Sequence, residues 1–247
     1  MEAAAVTEAE TVALLVDLLE SREPFCHVRF GDGDVFFATG TGPTLTADGE
    51  EWSSGLQWQL INAWGRVAIA RHRLLVGDVS SYAVDDGCGH EWDVMREYAV
   101  YLRGKDLSPM ELVHIEALRA GFGYALPAYQ AIAADPRKKL YIGPKVLEPA
   151  AEMLKADFRE VPLHVAWEPR PRRDALEGFE EYEVILFSAG RGGKIMQGQI
   201  CHSGHHPVTQ IDIGSGLDIL FGGVKRGTDA GVDIDALKAQ YRDAGLL

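Results

Sequence analysis

The stretch Arg29-Phe30-Gly31-Asp32-Gly33-Asp34 brings two carboxylates and two glycines together directly after the apolar run Phe25 to Val28. The run is typical of a buried strand, and glycines let the backbone turn sharply and a ligand come close. Asp32 and Asp34 can therefore face one hard cation, and their oxygens suit Mg²⁺ or Mn²⁺ shared with substrate phosphates. Arg29 could neutralise a carboxylate or hold a phosphate oxygen. An ordinary turn, whose acids are solvated or cap a helix, is the alternative.

Three further polar turns follow predicted strands. They are Gly143-Pro144-Lys145, the segment Ser188 to Lys194 with Gly190, Gly192 and Gly193, and the segment Asp212 to Asp218 with Gly214 and Ser215. Ligands of parallel α/β sheets bind beyond the carboxyl ends of the strands, so the four turns predict one shared crevice. Backbone amides of the Ser188–Lys194 turn could cradle a phosphate at a helix start. The turn matches neither a Walker A loop nor a dinucleotide fingerprint, and glycines needed only for packing clearance are the alternative.

Two groups of side chains leave several interpretations open. Asp212 and Asp218 could accept hydrogen bonds from sugar hydroxyls, join a metal shell or cap a loop. The segment Cys201-His202-x-x-His205-His206 resembles a zinc motif in composition. Its ligands are crowded into six residues without a second cluster, which favours a polar loop with one His near an acceptor.

Strand, turn and helix alternate along the chain, which predicts an α/β fold. We expect a Rossmann-like, mainly parallel sheet with helices on both faces, in a single domain over 1–247. Thr7 and Glu10 form a predicted capping box for a first helix. The sequence also predicts a helix from Asp48 to about Arg73 with Trp52 and Ile61 facing inward. It further predicts a helix starting at Ser108-Pro109 with His114 in its apolar core, and a strand from Val161 to Trp167.

Composition narrows the class of protein. The 247 residues are 47% hydrophobic and 25% charged, an ordinary globular mix, and the formal net charge is −13. Such an acidic chain is poorly suited to sequence-independent nucleic-acid binding or to an anionic membrane surface. No apolar run approaches the ~20 residues of a membrane span, and the acidic start does not resemble a secretory signal. Three cysteines, an odd and sparse number, favour a reducing compartment, so we expect the cytoplasm.

The motifs, taken in order, resemble those of the GT-D type glycosyltransferases, bacterial enzymes that use nucleotide-sugar donors. Arg29 to Asp34 is similar to the family signature Arg-(Phe/Tyr)-Gly-Asp-Gly-Glu. Four later segments also resemble family motifs, and the matches span about residues 25 to 220: Leu140 to Pro144, Val161 to Trp167, Ile185 to Lys194 and Ile211 to Asp218. Asp34 is the departure, because the family usually has a Glu there, and a shorter side chain would tighten the metal geometry or bind through water.

The resemblance implies a metal-dependent transferase that moves a hexose from a nucleoside-diphosphate sugar, with UDP-sugars the expected donors, to a hydroxyl acceptor. Asp32 and Asp34 would hold Mn²⁺ or Mg²⁺, while Arg29, Lys145 and the turn ending at Lys194 would stabilise the leaving diphosphate. General-base candidates are Asp212, Asp218 and His205, unranked. The acceptor could be a glycan, a lipid-linked glycan or, less favoured by the charge, a modified nucleic acid. A phosphohydrolase or nucleotidyltransferase, a non-catalytic binding protein, and a homo-oligomer stay open.

Overall fold

The computed structural model describes residues 6–41, 51–79, 89–104, 107, 109–204, 208–222 and 231–247. Within these ranges seven strands form one parallel sheet in the order β3-β2-β1-β7-β6-β4-β5. The strands are β1 (Phe25–Arg29), β2 (Arg73–Asp78), β3 (Met110–His114), β4 (Lys139–Gly143), β5 (Asp157–Glu160), β6 (Val184–Phe187) and β7 (Thr209–Asp212). The predicted α/β fold is confirmed.

Helices cover both faces of the sheet, as predicted. One face carries α1 (Glu8–Ser21), α5 (Leu126–Ala134), α6 (Glu148–Met153), α9 (Asp218–Phe221) and α10 (Ile234–Asp243). The other carries α2 (Asp32–Thr39), α3 (Ser54–Ala68), α4 (Gly89–Arg103), α7 (Pro169–Leu176) and α8 (Gly190–Ser203). The predicted capping box of Thr7 and Glu10 starts α1. No described helix combines the length and apolarity that a membrane crossing needs.

The central pair β1 and β7 is where the site must form. Strand β1 is buried along its whole length, and its residues alternate between the two apolar cores, with Phe25 in one and Cys26 and Val28 in the other. From β1 the chain first builds outward through β2 and β3, and it then builds the other half of the sheet, which ends at β7 beside β1. This pair is a topological switch point, where the connections diverge and leave a crevice at the carboxyl ends.

The prediction of a helix that starts at Ser108-Pro109 is wrong. Residues Met110–His114 form the edge strand β3, paired in parallel with β2 from Leu74 to Asp78, and Ser108 lies outside the described residues. Pro109 stands just ahead of the strand, where its missing N–H costs no ladder hydrogen bond. His114 therefore ends a strand instead of lying in a helix core, and its Nε2 is 3.4 Å from Glu8 Oε1.

Two other boundaries are also corrected. Helix α3 begins after Ser53, whose hydroxyl accepts the Leu56 N–H at 3.1 Å, while the predicted cap Asp48 lies outside the described residues. Trp52 and Ile61 are 38% and 43% exposed and do not face inward. The predicted strand Val161 to Trp167 is replaced by β5, which ends at Glu160. Pro162 follows directly and cannot donate to a sheet, so the chain turns into a 3₁₀ segment instead.

Candidate active site

A cavity of about 180 Å³ lies at the carboxyl ends of β1 and β7. All four turns singled out in the sequence reach it, which confirms that they share one crevice. The lining residues are Arg29, Gly31, Asp32, Gly33, Asp34, Ile115, Glu116, Pro144, Leu163, Ser188, Gly190, Arg191, Lys194, Gly214, Ser215 and Asp218. The first turn of α8 also opens there, so backbone N–H groups and the positive end of a 14-residue helix face the space.

Lys194 is the centre of the charge network behind the cavity. Its Nζ lies 3.2 Å from Asp212 Oδ2 and 3.5 Å from Asp34 Oδ2, and the residue is only 6% exposed. Burial alone would lower the pKa of Lys194, but the two carboxylates outweigh burial and raise it. Burial would likewise raise the pKa of Asp212, yet Lys194 and Arg29 hold it below its ordinary value. Both groups therefore stay charged, and the pair is compensated.

Arg29 ties three strand ends together. Its Nη1 donates to the Ile115 carbonyl at 3.0 Å and its Nη2 to the Ile213 carbonyl at 2.9 Å, while its backbone N–H donates to Asp212 Oδ2 at 3.3 Å. The guanidinium passes so close to Gly214 that a Cβ at this position would overlap Nη2. Gly214 also has a φ of +54°, so both sterics and backbone conformation call for glycine there.

The two acids of the first turn have different surroundings. Asp34 Oδ2 accepts the Gly31 N–H at 3.1 Å and so caps α2, as the simpler interpretation of the turn expected. Asp34 Oδ1 also lies 3.6 Å from Arg191 Nε, and the Arg191 guanidinium stacks 4.1 Å from the Phe37 ring centre. Asp32 is more exposed than Asp34 and lines the cavity. Asp32 is thus the more accessible carboxylate, whereas the Asp34 carboxylate is fixed by its contacts with Gly31 and Arg191.

Several predicted site residues do not line the cavity. Lys145 is largely exposed and pairs with Glu148 at 2.6 Å. Gly143 ends β4, where its carbonyl accepts the Val161 N–H at 2.9 Å. Gly192 and Gly193 lie inside α8, and a Cβ on Gly192 would overlap Ala166, so packing explains that glycine. Asp212 is also outside the lining, because it is buried behind Lys194. His205 lies outside the described residues, so its predicted role stays a prediction.

Two charged lining residues were missed from the sequence. Arg191 stands between the glycines of a turn that was singled out, so its position after a buried strand was the available signal. Glu116 follows β3, and it was missed because that strand was predicted as a helix. Its carboxylate pairs with Arg119, and the residue is 8% exposed.

The fold and the crevice define a Rossmann-like α/β protein with a charged cavity at its switch point. No protein-family model matches the sequence, and no curated protein matches it. Among solved structures, it is similar to a glycosyltransferase containing domain of unknown function 1792 from Streptococcus sanguinis, with a TM-score of 0.51 and 13% identity over 98% of this chain and 85% of that chain. Another structure of this domain, described as having a distinct glycosyltransferase fold, gives a TM-score of 0.52 and 13% identity over 98% and 82%. At this identity the shared feature is the fold.

Proposed function

We propose that the protein is a metal-dependent glycosyltransferase that moves a hexose from a nucleoside-diphosphate sugar to a hydroxyl acceptor. UDP-sugars are the expected donors. The observation that carries the proposal is the convergence of Asp32 and Asp34 with Arg191 and Lys194 on one cavity at the switch point. The likeness in fold to structures described as glycosyltransferases supports the same class of reaction.

A diphosphate would find several donors at the start of α8. The backbone amides of its first turn and the helix dipole favour an anion there, and Gly190 and Ser188 leave room for it. Arg191 lies 3.6 Å from Asp34, a separation long enough for phosphate oxygens to compete for the guanidinium. In this proposal Arg191 and Lys194 stabilise the charge that develops on the leaving nucleoside diphosphate.

The charge balance supports a divalent cation. The cavity is lined by three cationic side chains, Arg29, Arg191 and Lys194, and four acidic ones, Asp32, Asp34, Glu116 and Asp218. A cation such as Mn²⁺ or Mg²⁺ would offset these carboxylates, which otherwise oppose the binding of a diphosphate. The residues fit such an ion, with Asp32 as the accessible ligand and Asp34 as a neighbour fixed by Gly31 and Lys194. When bound, the ion would act as a Lewis acid and template for the diphosphate.

The candidates for the general base differ in their burial and in their access to the cavity. Asp212 is 2% exposed and engaged by Lys194, and its lowered pKa makes it a weak base, so we assign it the role of counter-ion. Asp218 lines the cavity at the start of α9 and is the better candidate to accept the proton of an acceptor hydroxyl. Glu116 also lines the cavity and enters as a second candidate.

The test is nucleotide binding measured by thermal shift, with UDP, GDP and their sugars in the presence and absence of Mn²⁺. A ligand at 100 times its Kd stabilises by ~2.7 kcal/mol, which is ~5–10 °C for a chain of this size. We expect a metal-dependent shift for one nucleoside diphosphate, lost in Asp32→Asn. Asp17→Asn is the matched control, because it removes the same charge from an exposed position of α1.

Product analysis then decides the reaction. Release of the nucleoside diphosphate from the sugar donor supports a transferase, whereas release of phosphate or pyrophosphate would assign a phosphohydrolase or nucleotidyltransferase. Binding without turnover across a broad acceptor panel would assign a non-catalytic binding protein. If no nucleotide stabilises the folded wild type, the proposal is wrong and the turn at Asp32 is structural.

A further inference from the structure

A second cluster of ligand side chains lies at the amino edge of the sheet, opposite the cavity. It joins Cys26 near the start of β1, Cys201 in the last turn of α8, and His72 in the segment before β2. The two sulfur atoms and an imidazole nitrogen all lie within 4.8 Å of one another. This is not the local Cys-His motif of the sequence, because the neighbouring His202 is exposed and His205 and His206 lie outside the described residues.

We propose that Cys26, Cys201 and His72 form a zinc site that is separate from the candidate active site. Zinc prefers four tetrahedral ligands, with Zn–S distances of ~2.3 Å, so its ligand atoms stand about 3.8 Å apart. The cluster needs an adjustment of only about 1 Å or less from its present spacing to meet that geometry. Two thiols and an imidazole favour this soft-to-borderline ion over Mg²⁺ or Mn²⁺, which prefer oxygen.

The polar atoms around the cluster have unused capacity. Among the described residues, the buried His72 Nε2 has no hydrogen-bond partner. Gln210 is fully buried, and its Nε2 donates to Cys201 Sγ at 3.3 Å while its Oε1 has no partner within the described part of the chain. Turning this amide by 180° would place an oxygen beside the cluster, so Gln210 or a water can serve as the fourth ligand.

The two thiols differ in their access to solvent. Cys26 is fully buried, whereas Cys201 is partly exposed, so an incoming ion would reach Cys201 first.

The cluster cannot be part of the cavity. Cys26 and Arg29 are three residues apart in an extended strand, about 10 Å, and Lys194 and Cys201 are seven residues apart in a helix, again about 10 Å. A bound ion would instead link the end of α8 to β1 and to the segment before β2. Because these elements also carry Lys194 and Arg29, we expect the ion to stabilise the fold that holds the cavity.

The experiment measures zinc uptake by the full chain in a Cys88→Ser background, which leaves only these two thiols. After reduction and incubation with Zn²⁺, native mass spectrometry should show one bound ion per chain and thermal melting a higher Tm. Cys201→Ser and His72→Ala should each abolish the uptake. His202→Ala is the matched control, since it removes an exposed histidine next to Cys201 and should leave the uptake unchanged.

Cobalt provides a readout that does not depend on the folding of any variant. Co²⁺ added to the reduced chain should give a thiolate-to-cobalt charge-transfer band that Zn²⁺ abolishes. If the reduced, folded chain binds no zinc and gives no such band, the proposal is overturned. It is equally overturned if the bound ion survives both the Cys201→Ser and the His72→Ala substitutions.

Discussion

The two ends of helix α8 lie at opposite edges of the sheet and differ in chemistry. At its start, Arg191 and Lys194 face carboxylates, and the charges are hard, paired and grouped around a cavity. At its end, Cys201 faces a thiol and an imidazole, with unpartnered polar atoms among the described residues nearby. A ligand at the start of α8 would have to compete with existing ion pairs for Arg191 and Lys194. A metal at the end of α8 would instead bind polar atoms that have no hydrogen-bond partner among the described residues.

The same three elements contribute side chains at both ends of α8, so substitutions at one end can be compared directly with substitutions at the other. Strand β1 provides Cys26 and Arg29, and β7 provides Gln210 and Asp212, while α8 provides Cys201 and Lys194. The two groups are separated by about 10 Å and share no partner in the contacts described above. Substitutions at one end should therefore add to those at the other within ~0.5 kcal/mol.

The largest effect is expected from Lys194→Met at the cavity end. The substitution leaves Asp212 and Asp34 buried beside a neutral side chain, and breaking a buried pair in this way costs ~3–5 kcal/mol. The free energy of unfolding, measured by urea denaturation, should fall by that amount. Lys145→Met is the control, because its exposed pair with Glu148 should leave that free energy unchanged.

A double variant distinguishes the loss of the Lys194 ion pairs from the cost of leaving a buried carboxylate without a counter-charge. Adding Asp212→Asn to Lys194→Met removes the deeper of the two uncompensated carboxylates, so part of the lost stability should return. A Lys194→Met protein that unfolds within 1 kcal/mol of the wild type would contradict the assignment of Lys194 as the centre of the network.

A somewhat smaller, pH-dependent effect is expected from His27, which lies in β1 between the two ends. Burial and the nearby Arg29 lower the pKa of His27 to about 4, and neither ring nitrogen has a hydrogen-bond partner among the described residues. Between pH 6.5 and 4, the His27 imidazole is therefore protonated in the unfolded chain but neutral in the folded chain. The contribution of His27 to stability is present above pH 6.5 and lost as the pH falls to about 4, a total of ~3 kcal/mol.

The measurement compares urea midpoints of the wild type and His27→Leu at pH 7.5 and 5. The wild type should lose ~2 kcal/mol more than the variant over this interval, because the variant has no imidazole to protonate on unfolding. His90→Leu, which replaces an exposed histidine of α4, should keep the wild-type pH dependence. Equal slopes for the wild type and His27→Leu would mean that burial and Arg29 do not lower the pKa of His27 in the folded chain.

The fold and the cavity end were largely predictable because their signals are local. Strand β6 is a continuous apolar run, and β1 is fully buried with apolar residues at Phe25, Cys26 and Val28. The polar turns that follow these strands carry glycines and charged residues in short spacing. Edge strand β3 was not predictable, since its Ser-Pro start imitates a helix cap and only pairing with β2 makes it a strand. Glu116 was lost with it.

The amino-edge cluster shows the opposite limit. Cys26, His72 and Cys201 are widely separated in sequence, and no spacing rule joins them, whereas the crowded residues from Cys201 to His206 attracted attention for their composition alone. Contacts between distant segments create this cluster, and one sequence does not contain them. Asp34 is a different case, because its helix cap is a local contact with Gly31 and was one of the two interpretations that the sequence left open.

The smallest effect is expected from substitutions of the glycines of α8. These substitutions test whether the glycines are needed for packing or to leave room for a bound phosphate. A Cβ at position 192 would overlap Ala166, so Gly192→Ala should cost ~1–3 kcal/mol in urea denaturation. A Cβ at position 193 would meet Phe187 at an ordinary 3.5 Å, and alanine is the better helix former, so Gly193→Ala should be neutral or stabilise by up to ~1 kcal/mol. Neither glycine lines the cavity, so nucleotide-induced thermal shifts should persist in any variant that folds. A Gly193→Ala protein that keeps its stability but loses the nucleotide shift would return this glycine to the phosphate site and move the boundary of the cavity one turn into the helix.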